Sequence, residues 1–387
     1  MIRKSFLVFA LLLLMVLPVI GCNGEEEIDL DEVKEELDLD EVKEELEPYM
    51  TQRQMDIARV ESFLEKAEPR DVGMDEEKLY NMVHNLHFNN PYNVVSMVIL
   101  KDDYEVLEYY AGRHREFAQN SVTKSITATL MGIAIEEGYI DGVDQKIIDF
   151  FPEVEDMEVD ANLKKVTIEH LLTMTAGFQW NEHDVPHSLP SNDLTAKTKS
   201  DNPIKYILTK PIEEIPGQSW YYNTGQSHLL SIIIERATGM DTMSFAEEKL
   251  FAPLGMNLTN VSWPRDRQGY HFGGHGLRMH TQDLAKIGYL YLNDGVYNGK
   301  QILSSQWVEE ATSIKANTPR PQYYEDYGYQ FWIDSYEEYA VISALGGNYE
   351  QALFIVPELD MVVAVNSIGG SRIGPYSILT SIIDFVE

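Results

Sequence analysis

One cysteine in 387 residues excludes a good deal. Cys22 is that cysteine, so no disulfide can form within the body of the chain. A thiolate zinc site and a cysteine nucleophile are excluded by the same count. Basic residues are also scarce, 30 Lys and Arg against 63 Asp and Glu, a formal charge of −33. A chain this acidic is a poor nucleic-acid binder, and an anionic lipid surface would repel it. No Gly-x-Ser-x-Gly elbow occurs, which argues against an α/β-hydrolase. Histidines at four-residue spacing number two pairs, His183/His187 and His271/His275. Pro186 interrupts the first pair and Gly273-Gly274 the second, so neither sits on a regular helix as a zincin pair would. No metal and no cofactor is expected. Long apolar runs are missing apart from Phe6–Val16, which is short for a membrane span.

That run belongs to a leader. Arg3 and Lys4 precede it, and Leu17-Pro-Val-Ile-Gly-Cys22 ends it in small residues, the layout of an export signal. Val19-Ile-Gly-Cys22 resembles a bacterial lipobox, which implies cleavage before Cys22, its lipidation, and an exported, cell-surface or periplasmic lipoprotein held to a membrane. Residues 23–50 read as a spacer. Asp29-Leu-Asp-Glu-Val-Lys-Glu-Glu-Leu37 recurs unchanged as Asp38–Leu46, and Glu25–Glu47 carries 14 acids against 2 lysines, a net −12. Nine residues make two and a half helical turns, so the two apolar stripes fall on opposite faces of a straight helix. A self-repelling, partly helical spacer fits better than a coiled-coil seam.

From residue 51 to 387 the composition is globular, enough for a single large domain or two interleaved subdomains. Val94–Leu100 and Val106–Tyr110, joined through Lys101-Asp-Asp, predict a β-hairpin. Leu353–Val356 and Met361–Val365, flanking Pro357-Glu-Leu-Asp360, predict a second hairpin. Helical spacing fills Ser125–Glu136, Val166–Met174, Pro203–Leu208, Ser227–Thr238, Ser244–Leu250 and Thr281–Leu292, and a last helix follows Pro375. Strands at both ends with helices between imply an α+β architecture: a sheet made from both termini, interrupted by a mainly helical insertion over roughly 135–290.

Three stretches carry chemistry. Ser121 and Lys124 lie three apart at the start of a predicted buried helix, hence on one face. A serine in the first turn feels the positive end of the helix dipole. Burial pushes a lysine there toward its neutral form, able to take the serine proton. About 100 residues on, between a Pro-Gly and a Thr-Gly turn, Tyr221-Tyr-Asn223 places Tyr221 and Asn223 on the same side of a short extended piece. A phenol there could shuttle a proton, and the Asn223 amide could hold the lysine and a substrate carbonyl. Third, Ser343-Ala-Leu-Gly-Gly347, before the last hairpin, has the small residues that let a strand edge approach a substrate.

In this order and spacing the three resemble the serine β-lactamase/penicillin-binding-protein superfamily. The likeness is to its branch of β-lactamase-related serine hydrolases: class-C-like enzymes, esterases and 6-aminohexanoate-oligomer hydrolases. Leu171–Gly177, Gly273–Leu277 with Asp283–Lys286, and Val356–Asp360 extend the likeness from about Gly73 to the C-terminus. The resemblance implies a β-lactamase/transpeptidase-like fold, with Ser121 as acylated nucleophile, Lys124 as its base, Tyr221 as proton shuttle and Asn223 as a positioning group. Leu345 would give a second oxyanion N–H beside that of Ser121, Gly347 the close approach, and His275 part of the pocket wall. Counting back from Val356-Pro357, the family's Lys-Thr-Gly strand falls on Ile342-Ser343-Ala344, so its cation is missing. A charge-assisted contact is worth a few kcal/mol, and its loss points to small, neutral ester or amide substrates. Glu350 stands where relatives often have glycine. The alternatives are a D-alanyl-D-alanine carboxypeptidase, penicillin-binding protein or β-lactamase on this fold, and a non-catalytic binding or sensor lipoprotein. Ser200-Asp-Asn202, which spells another family motif, reads instead as a helix cap before Pro203.

Overall fold

The computed structural model describes residues 63–319, 326–347, 350–369 and 374–387. The leader, Cys22, the acidic repeat and the first residues of the predicted domain lie outside them.

The first hairpin is β1 (Val94–Lys101) and β2 (Tyr104–Tyr110), and the last is β11 (Gln351–Val356) and β12 (Met361–Ser367). They meet in one sheet because β1 pairs antiparallel with β12, Met97 opposite Val365 and Ile99 opposite Val363. Strands β10 (Tyr339–Gly346), β9 (Trp332–Tyr336), β8 (Asp326–Tyr327) and β7 (Ala316–Asn317) continue it. The order is β2-β1-β12-β11-β10-β9-β8-β7. The sheet is thus built from both termini.

Both faces of the sheet are covered at its centre, which explains why β1, β11 and β12 read as nearly unbroken apolar runs rather than as an alternation. Met97, Ile99, Phe354, Val363 and Val365 pack toward α1 (Glu76–Phe88) and the C-terminal helix (Gly374–Ile383). Their neighbours Val98, Leu100, Leu353, Ile355, Val362 and Ala364 face the other way. There they meet α2 (Val122–Glu136) and the amphipathic helix Thr281–Leu292. Between α2 and Thr281–Leu292 the chain runs through the helices Ile168–Leu172, Asp193–Lys199, Pro203–Leu208, Thr224–Thr238 and Thr242–Ala246. Thr224–Thr238 lies against α2, both buried along most of their length. Among the described residues, no helix is long and apolar enough to cross a membrane.

Two details position the site. Asn202 caps the helix beginning at Pro203 by accepting from Lys205 N (2.8 Å), so Ser200-Asp-Asn202 is a structural cap. And β10 pairs with β9 only as far as Ser343 opposite Trp332. Beyond that pair, the edge of β10 leading to Gly346 is released from β9, just where it passes the start of α2.

Candidate active site

The short strands Phe117–Ala118 and Arg278–Met279 pair and hold the chain that leads into α2. Gln119, fully buried, donates its N–H to Leu277 O (2.7 Å). Asn120 is then forced into the left-handed region, φ 45°, a conformation found where surroundings over-determine the backbone. Its side chain is tied by a bond from Nδ2 to Gln351 Oε1 (2.6 Å). Ser121 takes the N-cap position of α2 without making a side-chain cap. Its hydroxyl is therefore unused by the helix and stands at the positive end of the helix dipole.

Lys124, one turn on, is 1% exposed. Its Nζ donates to Ser121 Oγ at 3.1 Å and to Gly274 O at 2.7 Å. It also lies 4.9 Å from the ring centroid of Tyr222. Burial lowers its pKa to about 8, with the charge of Glu182 opposing the shift. An amine with a lowered pKa against a serine hydroxyl that the helix does not use is the geometry of an activated nucleophile.

The Tyr221–Asn223 segment is held by an unusual residue. Met174 has φ 61°; its carbonyl accepts Tyr221 N (2.9 Å) and its Sδ accepts Asn223 N (3.4 Å). Tyr221 is 39% exposed, whereas Tyr222 and Asn223 are buried. Asn223 Oδ1 caps the next helix, accepting Gly225 N (2.8 Å) and Gln226 N (3.2 Å). Its oxygen is thus committed to the helix, and Lys124 is fixed by Gly274 instead. Among the described residues, Asn223 Nδ2 is buried without a partner, a donor left over for another group.

The third stretch approaches the nucleophile later than counting back suggested. Ile342 is paired with Ile355 on one side and Ile333 on the other, well inside the sheet. Contact with the serine turn comes at Gly346, where a Cβ would lie 2.4 Å from Gln119 O, and at Gly347, 3.1 Å from Asn120 Nδ2. Leu345 turns its side chain into the core under α1, so only its backbone is available on the site side. The correction leaves the chemistry unchanged, because Leu345-Gly-Gly347 carries no cation either.

His275 is half-buried, its ring stacked on Phe272 (4.6 Å, 24°) and its Nε2 enclosed with no partner among the described residues. Burial, then the positive charges of Lys197 and Lys124, push its pKa well below the usual range. It is therefore a neutral imidazole. His271 contacts Trp263 O (2.7 Å) and Asp241 Oδ1 (3.0 Å) with its two nitrogens, a structural histidine.

Sequence reasoning missed three components. Gly274 O was hidden in a glycine run. Glu182 lies on a loop, its carboxylate taking Trp180 Nε1 (2.6 Å), Thr224 N (2.9 Å) and Thr224 Oγ1 (2.8 Å). Lys197 reads as a solvated helix lysine, yet it is fully buried.

Comparison with known proteins gives the family. The family model for Beta-lactamase matches residues 94–374. The 6-aminohexanoate-dimer hydrolase of Paenarthrobacter ureafaciens is 24% identical over 289 residues, 69% of this chain and 71% of that one. Penicillin-binding protein 4* of Bacillus subtilis (strain 168) is 26% identical over 198 residues, 46% of this chain and 40% of that one. A solved structure provisionally described as a 6-aminohexanoate-dimer hydrolase from Bacillus anthracis superposes with a TM-score of 0.67 at 22% identity, covering 86% of this chain and 88% of that one. The chain belongs to the beta-lactamase family and is a serine hydrolase built on that family's α+β fold.

Proposed function

We propose that the protein hydrolyses ester or amide bonds of small, neutral substrates through an acyl-enzyme on Ser121. The observation that carries this is the buried Lys124 amine, 3.1 Å from a serine hydroxyl that the helix leaves free. With a pKa of about 8, roughly one Lys124 in ten is neutral at pH 7.

Neutral Lys124 takes the proton as Ser121 Oγ bonds to the substrate carbonyl carbon. The carbonyl oxygen becomes the oxyanion, met by the N–H of Ser121 and an N–H from the Leu345–Gly347 edge. Asn223 Nδ2 is a further donor for the substrate. The proton then passes, through the Tyr221 phenol, to the departing alcohol or amine as its bond to the acyl carbon breaks. Water repeats the sequence to release the acid and restore Ser121. His275 lines the pocket as a neutral ring.

The neutral-substrate reading rests on the absence of a cation at Leu345-Gly346-Gly347, and a relative described as an esterase (EstB of Burkholderia gladioli) fits it. At the N-terminus we propose an exported lipoprotein anchored through Cys22, on the strength of the lipobox-like Val19-Ile-Gly-Cys22.

The test is labelling with a fluorophosphonate probe and with fluorescent penicillin, beside turnover of short-chain nitrophenyl esters and a chromogenic cephalosporin. Probe labelling that disappears in Ser121→Ala, with the esters preferred, is the expected result. Preferential penicillin labelling or cephalosporin turnover would make it a penicillin-binding protein or β-lactamase, and no labelling at all would leave a binding protein on the same scaffold.

A further inference from the structure

A charged side chain outside the Ser121–Lys124 machinery stands on the turn between β10 and β11. Glu350 follows Gly346, where β10 ends, and precedes Gln351, where β11 begins. Its backbone is pinned at both polar groups: the N–H donates to Gly346 O (2.9 Å) and the carbonyl accepts Ser367 N (2.6 Å). Its carboxylate reaches back toward the strand end, with Oε2 3.7 Å from the point where a side chain at Gly347 would begin. Asn120 Nδ2 lies 3.1 Å from the same point, and Asn120 is the residue before Ser121. The carboxylate and the serine turn therefore meet over one glycine.

No positive charge offsets it there. The Asn120 amide is spent on Gln351 Oε1 (2.6 Å), and among the described residues Glu350 enters no ion pair. A bare carboxylate beside an oxyanion hole works against the reaction, because a like charge develops next to it. Specificity built on repulsion carries such a cost. The path of the substrate brings it to this carboxylate. With the acyl carbon on Ser121 Oγ and the carbonyl oxygen toward the Leu345–Gly347 edge, a short chain lying along that edge ends over Gly347.

We propose that Glu350 is a specificity-determining residue whose carboxylate, at the end of β10, repels substrates that carry a carboxylate of their own. Penicillins and D-alanyl-D-alanine peptides both carry that group. Neutral esters and amides reach Ser121 without the penalty. The missing cation of the strand withholds attraction from an anion, and Glu350 adds repulsion. The inference deepens the neutral-substrate reading and rests on the acyl-enzyme at Ser121.

The test uses esters of equal reach that differ only in charge. Mono-nitrophenyl glutarate carries a carboxylate at the end of its acyl chain, and its methyl ester is the neutral twin. Para-acetoxybenzoate and its methyl ester place the same contrast on the leaving side. The quantity read is kcat/KM for the anionic ester divided by that for its twin, at fixed pH and low salt, in the unaltered protein, Glu350→Gln and Glu350→Lys. Glutamine keeps the shape of the side chain and leaves both backbone bonds in place. We expect the ratio to rise about tenfold in Glu350→Gln for at least one of the two pairs, and further in Glu350→Lys. Each ratio is taken within one protein, so a variant that is merely less stable or less active lowers both twins together and leaves the ratio unmoved. A rise of less than about threefold in both variants, for both pairs, overturns the proposal. Failure of the acyl-enzyme reading is a separate result, fluorophosphonate labelling that survives in Ser121→Ala.

Discussion

Replacing Gly346 by alanine places a methyl group 2.4 Å from the carbonyl oxygen of Gln119 and 3.2 Å from Asn120 Cβ. The first contact is shorter by about 0.6 Å than the 3.0 Å that real Cβ atoms respect. No side chain can swing aside to relieve it, because Gln119 O is backbone and the Gln119 N–H is tied to Leu277. Strand β10 and the turn carrying Ser121 must therefore separate by the better part of an ångström. Overpacking of this kind costs about 1–3 kcal/mol of stability. A shift near 1 Å between reacting groups costs on the order of a hundredfold in rate. We expect Gly346→Ala to lower kcat for a nitrophenyl ester about a hundredfold, measured well below its melting temperature, with Tm reduced by several degrees. The loss should fall on kcat more than on KM, because the methyl group disturbs the oxyanion side of the site. If the variant keeps kcat within about threefold of the parent, β10 is not the strand that completes the site, and the geometry argued above fails.

Other perturbations follow from the same contacts. Asn223→Ala removes both cap bonds on the helix Thr224–Thr238 and should cost about 1–2 kcal/mol in urea unfolding; losing the spare Nδ2 donor should also lower kcat by about a hundredfold. His228 is held at about pKa 4 in the native state against about 6.5 unfolded, so the unfolded chain binds the extra proton between those values. Stability from this group is full above about pH 6.5 and falls as pH drops toward 4. His228→Gln, which keeps a donor toward Asp266 but cannot titrate, should flatten the urea-midpoint-against-pH curve over that window; an unchanged slope would show that His228 is protonated in the native protein.

The parts of the fold legible in the sequence are those where burial acts on both faces of an element. Strands β1, β11 and β12 carry nearly continuous apolar runs because helices lie above and below them. The helix Thr281–Leu292 is amphipathic against the same sheet and falls on its expected residues. The two-residue strands β7 and β8 have no periodicity to read. The helix expected from Ser227 begins at Thr224, because the Asn223 side chain caps it. That from Ser244 starts at Thr242 under an Asp241 cap and runs on as a π-turn through Phe251.

At the site, Ser121 and Lys124 were legible because helical spacing alone fixes their distance. The third stretch was misplaced because its register depends on a turn, not on a strand. Glu350 N bonds Gly346 O (2.9 Å), so the strand ends at Gly346, and the tightest approach falls there rather than at Ile342. Glu182 and Lys197 were invisible for another reason. Each has an ordinary local sequence, and their significance comes from what the fold packs around them.

The most direct measurement is mass spectrometry of protein quenched during turnover of a nitrophenyl acetate. One acetyl group on the peptide containing Ser121, absent in Ser121→Ala and strongly reduced at neutral pH in Lys124→Met, is the expected result. Turnover without an adduct, or an adduct on another residue, would contradict the acyl-enzyme and with it the account of this site.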